Sequence, residues 1–260
     1  MILLIDAGNT RIKWATVGKA HAPTGGPVWL HQGAVSHAEM PTLKPAWAVL
    51  PISRIVMSNV AGEHIGHALE LLLASCVDGV KAELFSATAN CAGVKNAYAQ
   101  ATQLGSDRFA SAIGAHALFP FRSLLVVTCG TATTIDAVTV EGTSEATFIG
   151  GMILPGLQLM AQSLAKNTAQ LPQVAESLSV TRLFADNTEL AIVSGCINAQ
   201  VGAILRAYET QLKMQHYPVS CIISGGAAPY LIAHLGIACE HVDNLVLTGL
   251  FIVAKSIATQ

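Results

Sequence analysis

Charge is scarce in this chain. Among 260 residues, 14 are Lys or Arg and 16 are Asp or Glu, so only 12% are charged, against about 25% in an ordinary globular protein. The net charge is −2 with no basic stripe, which argues against nucleic acid as the main partner. So little charge beside a hydrophobic fraction of 52% predicts apolar surface that is covered in an oligomer. Long apolar runs are missing as well. No segment has the roughly 18 to 20 uninterrupted apolar residues of a membrane span. Asp6 breaks the N-terminal run, and the stretch 245–254 contains Thr248 and Gly249. No leader pattern opens the sequence, so a soluble, cytoplasmic protein with no membrane partner is expected.

Three kinds of motif are also lacking. The six cysteines, at 76, 91, 129, 196, 221 and 239, include no C-x-x-C pair; they are too scattered for a zinc site, and their apolar contexts predict burial instead of a disulfide framework. The histidines are dispersed. His64 and His67 form the only close pair, and a surface role is expected for them. No G-x-x-x-x-G-K-[ST] occurs, since Gly18-Lys19 is followed by Ala20; a P-loop enzyme is excluded.

What is present is a glycine-turn hairpin that occurs twice. Ile2, Leu3, Leu4 and Ile5 lead into Asp6-Ala7-Gly8-Asn9-Thr10, and a strand-like stretch resumes at 12–17. Residues 124–127 lead into Thr128-Cys129-Gly130-Thr131, and a second strand-like stretch continues over 132–138. Each reads as strand, turn, strand. Such turns can offer backbone N–H groups and hydroxyls to an anion without bulky side chains in the way. The recurrence points to a duplicated α/β fold, with two turns able to hold a triphosphate.

Around the hairpins the pattern alternates. A turn is expected at 19–27, strands at 28–35, 54–59 and 82–85, and helices at 62–76 and 109–118. The second half repeats the theme, with strands at 124–140, 145–150 and 219–223, a helix after Pro155-Gly156, and helices near 188–212 and 245–257. The domain boundary is placed near residue 116, giving domains 1–115 and 116–260.

Several positions can carry chemistry. Asp6 ends a buried strand, where a carboxylate is costly without a polar task. It can orient a magnesium ion, through water, or cap its own turn. Gly105-Ser106-Asp107-Arg108 heads a helix. A helix N-terminus attracts anions, and Arg108 adds a planar fork for a phosphate or carboxylate. Asp107 can take the proton of an attacking hydroxyl or simply cap the helix. Ser224-Gly225-Gly226 follows an apolar strand, where glycines allow either approach to a flat base or a tight turn.

Taken together these segments resemble the type III pantothenate kinase family of the acetate kinase, sugar kinase, Hsp70 and actin superfamily. The family's D-x-G-N-[ST]-x-x-K is met by Asp6, Gly8, Asn9, Thr10 and Lys13, and its G-x-D-R by Gly105, Asp107 and Arg108, with Tyr98 upstream. Its G-T-A-T-T falls at 130–134, its G-G-x-[IL]-x-P-G at 150–156, and its S-G-G at 224–226. The resemblance spans nearly the whole chain. It implies two ribonuclease H-like domains of the actin-like ATPase fold with a nucleotide cleft between them, and ATP-dependent phosphorylation of pantothenate, the first step towards coenzyme A. It implies Asp107 as base. Asp6, Ala7, Gly8, Asn9, Thr10, Arg11, Ile12, Lys13 and Thr131 would serve ATP and its magnesium. Tyr98, Gly105, Ser106, Asp107, Arg108 and Thr188 would contact pantothenate. It also implies a homodimer whose interface helps build the pantothenate pocket. Where most of the family has an Asp that binds potassium or ammonium, this chain has Thr128, so weak or absent activation by a monovalent cation is expected. Other readings of the same residues are a kinase for another small polyol or acid, a nucleotide-binding accessory protein without catalysis, and an actin-like or chaperone ATPase.

Overall fold

A computed structural model describes residues 1–21, 26–142, 145–167, 182–214 and 218–257. In chain order its elements are β1 (Ile2–Ala7), β2 (Arg11–His21), β3 (Pro27–Ser36), α1 (Leu43–Ala48), β4 (Arg54–Asn59), α2 (Glu63–Ala74), β5 (Ala82–Leu84), β6 (Asn90–Cys91), β7 (Val94–Asn96) and α3 (Ser106–Leu118). There follow β8 (Ser123–Cys129), β9 (Ala132–Val140), β10 (Ala146–Pro155), α4 (Leu157–Asn167), α5 (Thr188–Met214), β11 (Val219–Ser224), α6 (Ala228–Leu235), β12 (Cys239–His241) and α7 (Leu245–Ile257). Part of the turn expected at 19–27 lies outside the described residues; β2 runs on to His21 and β3 starts at Pro27.

The chain forms two compact units. One holds residues 1–121, 140–148 and 244–260, the other 122–139 and 149–243. This departs from the expected halves 1–115 and 116–260. The first segment ends at Phe121, and the C-terminal helix returns to the first unit. The reason is packing. A Cβ on Gly249 of α7 would overlap the backbone of Ala110 in α3, and one on Gly114 would come within 2.7 Å of Leu245 O. Two glycines let these helices meet backbone to backbone.

In the first unit the sheet order is β3-β2-β1-β4-β5. β2 and β3 continue antiparallel from β1, whereas β4 and β5 run parallel to it. β1 is central, and Leu3, Leu4 and Ile5 are each 0% exposed. A strand covered on both faces needs such a continuous apolar run, not alternation. One face packs on α1 and α2 through Trp14, Trp47, Leu69 and Leu73. Trp14 and Trp47 meet edge to face at 5.9 Å, a geometry that the ring quadrupole favours. α3 and α7 cover β1 and β4 from the other face. β7 pairs with the first residues of β10, and β6 with β7.

The second unit repeats this order as β10-β9-β8-β11-β12. β8 pairs antiparallel with β9 and parallel with β11, and β11 pairs parallel with β12. Its core joins Leu125, Val127 and Ile135 to Leu157, Ile197, Ile204 and Leu231 from α4, α5 and α6. The expected duplication is therefore visible in strand order and direction. α5 is long and apolar enough to cross a membrane by length and composition, yet its apolar side chains Ile192, Val193, Ile197 and Val201 are buried in this core. All six cysteines are free, and burial pushes the Cys129 and Cys221 thiols up to about 12. His64 and His67 lie on the surface of α2.

Candidate active site

The first hairpin ends β1 in a four-residue loop between paired Ala7 and Ile12. Gly8 N–H donates to Arg11 O at 3.0 Å, and Ala7 O accepts the Val60 amide at 3.0 Å. The second hairpin is one residue tighter, between paired Cys129 and Thr133, and Gly130 N–H donates to Ala132 O at 2.9 Å. Both glycine amides thus close their own turns. Asn9, Thr10 and Arg11 are exposed at the first tip, and Thr131 at the second. Ala7 and Ile12 belong to the core at 0% exposure, so these two can serve a ligand only through their backbone.

Asp6 sits two residues before the start of the first loop and is 9% exposed. Sheet register places it between Lys13 on β2 and Ser58 on β4. Burial pushes its carboxyl up to about 7, opposed by the Lys13 charge and reinforced by the charge of Asp107. A cation beside this carboxyl would restore its ionised form, so the position suits a magnesium ion. The equivalent row of the second unit runs Ser224, Thr128, Thr134 across β11, β8 and β9. All three are neutral hydroxyls, and Thr134 Oγ1 is buried without a hydrogen-bond partner.

α3 carries the second cluster. Ser58 Oγ and Ser106 Oγ are 2.8 Å apart, which ties the N-terminus of α3 to β4. Asp107 Oδ1 accepts the Arg108 amide at 2.8 Å. Burial raises the Asp107 carboxyl above its ordinary value, and the amide and charge of Arg108 work against that rise. Gly105 leaves room for this carboxyl, since a Cβ there would stand 2.7 Å from Asp107 Oδ1. Arg108 is 7% exposed and donates from Nη1 to the Tyr98 hydroxyl at 2.9 Å. Its guanidinium lies 5.8 Å from the Tyr98 ring and 5.6 Å from the Phe148 ring, within cation–π range of both.

One bracing residue has no counterpart in the sequence reading. Asn96 donates to Thr88 O at 3.2 Å and Ala101 O at 3.0 Å, while its Oδ1 accepts the Tyr98 amide at 3.0 Å. It fixes the loop that brings Tyr98 to Arg108. Its only signal in the sequence is an Asn two residues before Tyr98.

The first unit therefore gathers Asp6, Lys13, Tyr98 and residues 105–108. Thr131 and Thr188 belong to the second unit. There Thr131 O accepts the Gly156 amide at 2.8 Å, and Gly156 and Gly225 both close on the end of β8, where a Cβ on either would strike the backbone of 129–131. Gly225 has φ +99°, so close packing and a left-handed turn account for its lack of a side chain. Gly226 faces open space. Gln200 braces this end by accepting from Thr133 Oγ1 at 2.9 Å and donating to Pro155 O at 3.0 Å. Thr188 begins α5, which Asn187 Oδ1 caps by accepting the Leu190 amide at 2.9 Å.

Repeated α/β units with this strand order have the actin-like ATPase fold, which solved sugar kinases share. A glucokinase from an Antarctic psychrotroph matches with a TM-score of 0.52 at 11% identity, covering 98% of this chain and 98% of that one. A family model described as type III pantothenate kinase matches residues 2–210, and the chain belongs to that family. The type III pantothenate kinase of Janthinobacterium sp. (strain Marseille) is 54% identical over 258 residues, covering 98% of this chain and 97% of its own. That of Herminiimonas arsenicoxydans is 51% identical over 255 residues, with coverage of 98% and 97%.

Proposed function

We propose that the chain transfers the terminal phosphoryl group of ATP to the primary hydroxyl of pantothenate in the cytoplasm, opening the route to coenzyme A. The observation that carries this reading is the grouping of Asp6, Lys13, Asp107, Arg108 and Tyr98 in one unit of a type III pantothenate kinase family member. Residues 6–13 and Thr131 serve the ATP phosphates. Tyr98, residues 105–108 and Thr188 serve pantothenate, Arg108 as the cation for its carboxylate.

In the reaction the pantothenate oxygen bonds to the γ-phosphorus as the bond to the β-phosphate oxygen breaks, and ADP leaves. Asp107 accepts the hydroxyl proton, and its raised proton affinity suits that task. Lys13 offsets charge on the phosphoryl oxygens. A magnesium ion held near Asp6, through water, would supply the remaining charge neutralisation. Positioning and electrostatics carry most of the rate.

The residues do not fit a tightly held monovalent cation. The row of Ser224, Thr128 and Thr134 offers hydroxyls where a carboxylate would be needed, and hydroxyl oxygens hold such an ion weakly. Equal turnover in sodium and potassium buffers is expected; a strong potassium requirement would overturn this. A homodimer is supported by exposed Ile149, Met152, Ile153, Leu159 and Leu164 on β10 and α4, apolar surface that a second copy would cover.

The deciding experiment measures pantothenate-dependent ADP release with ATP and magnesium, confirms phosphopantothenate by mass, and repeats both with Asp107→Asn. The variant should lose about 100-fold to 10,000-fold in kcat with its melting temperature kept. Near-normal turnover in Asp107→Asn would remove the base assignment, and no turnover in the parent chain would remove the kinase reading.

A further inference from the structure

The proposed phosphate hairpin is clasped from outside by a residue that no motif contains. Ser36 ends β3, and both its amide and its hydroxyl donate to Glu39 Oε2, at 2.9 and 2.8 Å. The Glu39 amide returns a bond to Ser36 Oγ at 3.3 Å. Ser36 is also the cross-strand partner of Arg11, the last residue of the hairpin loop. This closed turn sets His37 beside the loop, with Nε2 2.9 Å from Gly8 O. A carbonyl only accepts, so Nε2 carries the proton and donates.

The consequence runs through one peptide plane. Gly8 C=O and Asn9 N–H belong to the same planar trans unit and point in opposite directions. A donor that fixes the carbonyl therefore fixes the amide. The Gly8 amide is already spent on Arg11 O, which leaves Asn9 as the next amide able to face an anion from the turn. We propose that His37 is a positioning residue for ATP, whose hydrogen bond to Gly8 O aims the Asn9 amide at the polyphosphate. The inference rests on the assignment of residues 6–13 to the ATP phosphates.

The test compares the parent chain with His37→Ala, His37→Gln and Lys13→Ala, measuring KM for ATP, KM for pantothenate, kcat and melting temperature. His37→Ala should raise KM for ATP about fivefold to tenfold, the worth of one hydrogen bond, and leave KM for pantothenate and the melting temperature nearly unchanged. His37→Gln, whose amide can still donate, should recover most of the loss. An unchanged KM for ATP in His37→Ala, while Lys13→Ala raises it, would overturn the proposal alone. A fall in melting temperature with both KM values altered would make His37 merely structural and overturn it as well. If neither His37→Ala nor Lys13→Ala moved KM for ATP, the phosphate assignment itself would fail and take the proposal with it.

Discussion

Replacing Asp6 with Asn should make the protein more stable and inactive, with the gain depending on pH. Burial holds the Asp6 carboxyl at about 7 where an exposed one would sit at 3.8. The folded chain therefore favours the neutral acid, while the unfolded chain lets it ionise. The stability this contributes is fully present below about pH 4 and is lost as pH climbs through about 7. A rise from 3.8 to about 7, at about 1.36 kcal/mol per pH unit, amounts to a loss on the order of 4 kcal/mol by pH 8. Asn has the shape of the neutral acid and cannot ionise, so Asp6→Asn escapes that loss. At about 2–4 °C per kcal/mol for a chain of this size, the variant should melt about 8–16 °C above the parent at pH 8. At pH 4.5 the two should differ by no more than about 4 °C. The assay is far-UV circular dichroism melting with chelator and without nucleotide, run beside phosphorylation of pantothenate, which the variant should lose. A variant that melts at or below the parent at pH 8 would refute the reasoning, because the carboxylate would then have a partner that offsets its burial.

Two glycines allow further checks. Gly105→Ala would push a Cβ against Asp107 Oδ1 and should lower kcat by about tenfold to a hundredfold, as expected for displacing a catalytic group by about 1 Å, with the melting temperature kept; unchanged kcat would show that the carboxyl has room to move. Gly249→Ala sets two effects against each other. Helix propensity favours Ala by about 1 kcal/mol, but the new Cβ overlaps the Ala110 backbone, an overpacking cost of about 3 kcal/mol. Net destabilisation in urea unfolding is expected, and a more stable variant would contradict the close helix contact.

Much of this was legible because it is local. A glycine turn between apolar runs fixes a hairpin wherever it occurs, so both hairpins, β4 and α7 lie where the pattern puts them. Asp6 stands out in the sequence because a carboxylate in an apolar run has to be explained. Ser58, Asn96 and His37 do not stand out. Ser58 gains meaning only from the register that sets it beside Asp6, Asn96 from carbonyls at residues 88 and 101, and His37 from a loop far back in the sequence. The short elements α1, β6, β7 and β12 span too few residues to show a period. The assignment of α7 to the first unit depends on two glycines meeting across helices, and no local pattern announces that.

That helix crossing also orders events in time. Every first-unit residue of the proposed site up to Arg108 has been synthesised long before α7. At about 5–20 residues per second, α3 waits on the order of 10 seconds for the helix it leans on. A nascent chain can thus hold the first-unit part of the proposed site without the support behind it, and the unit begun first is completed only by the last helix.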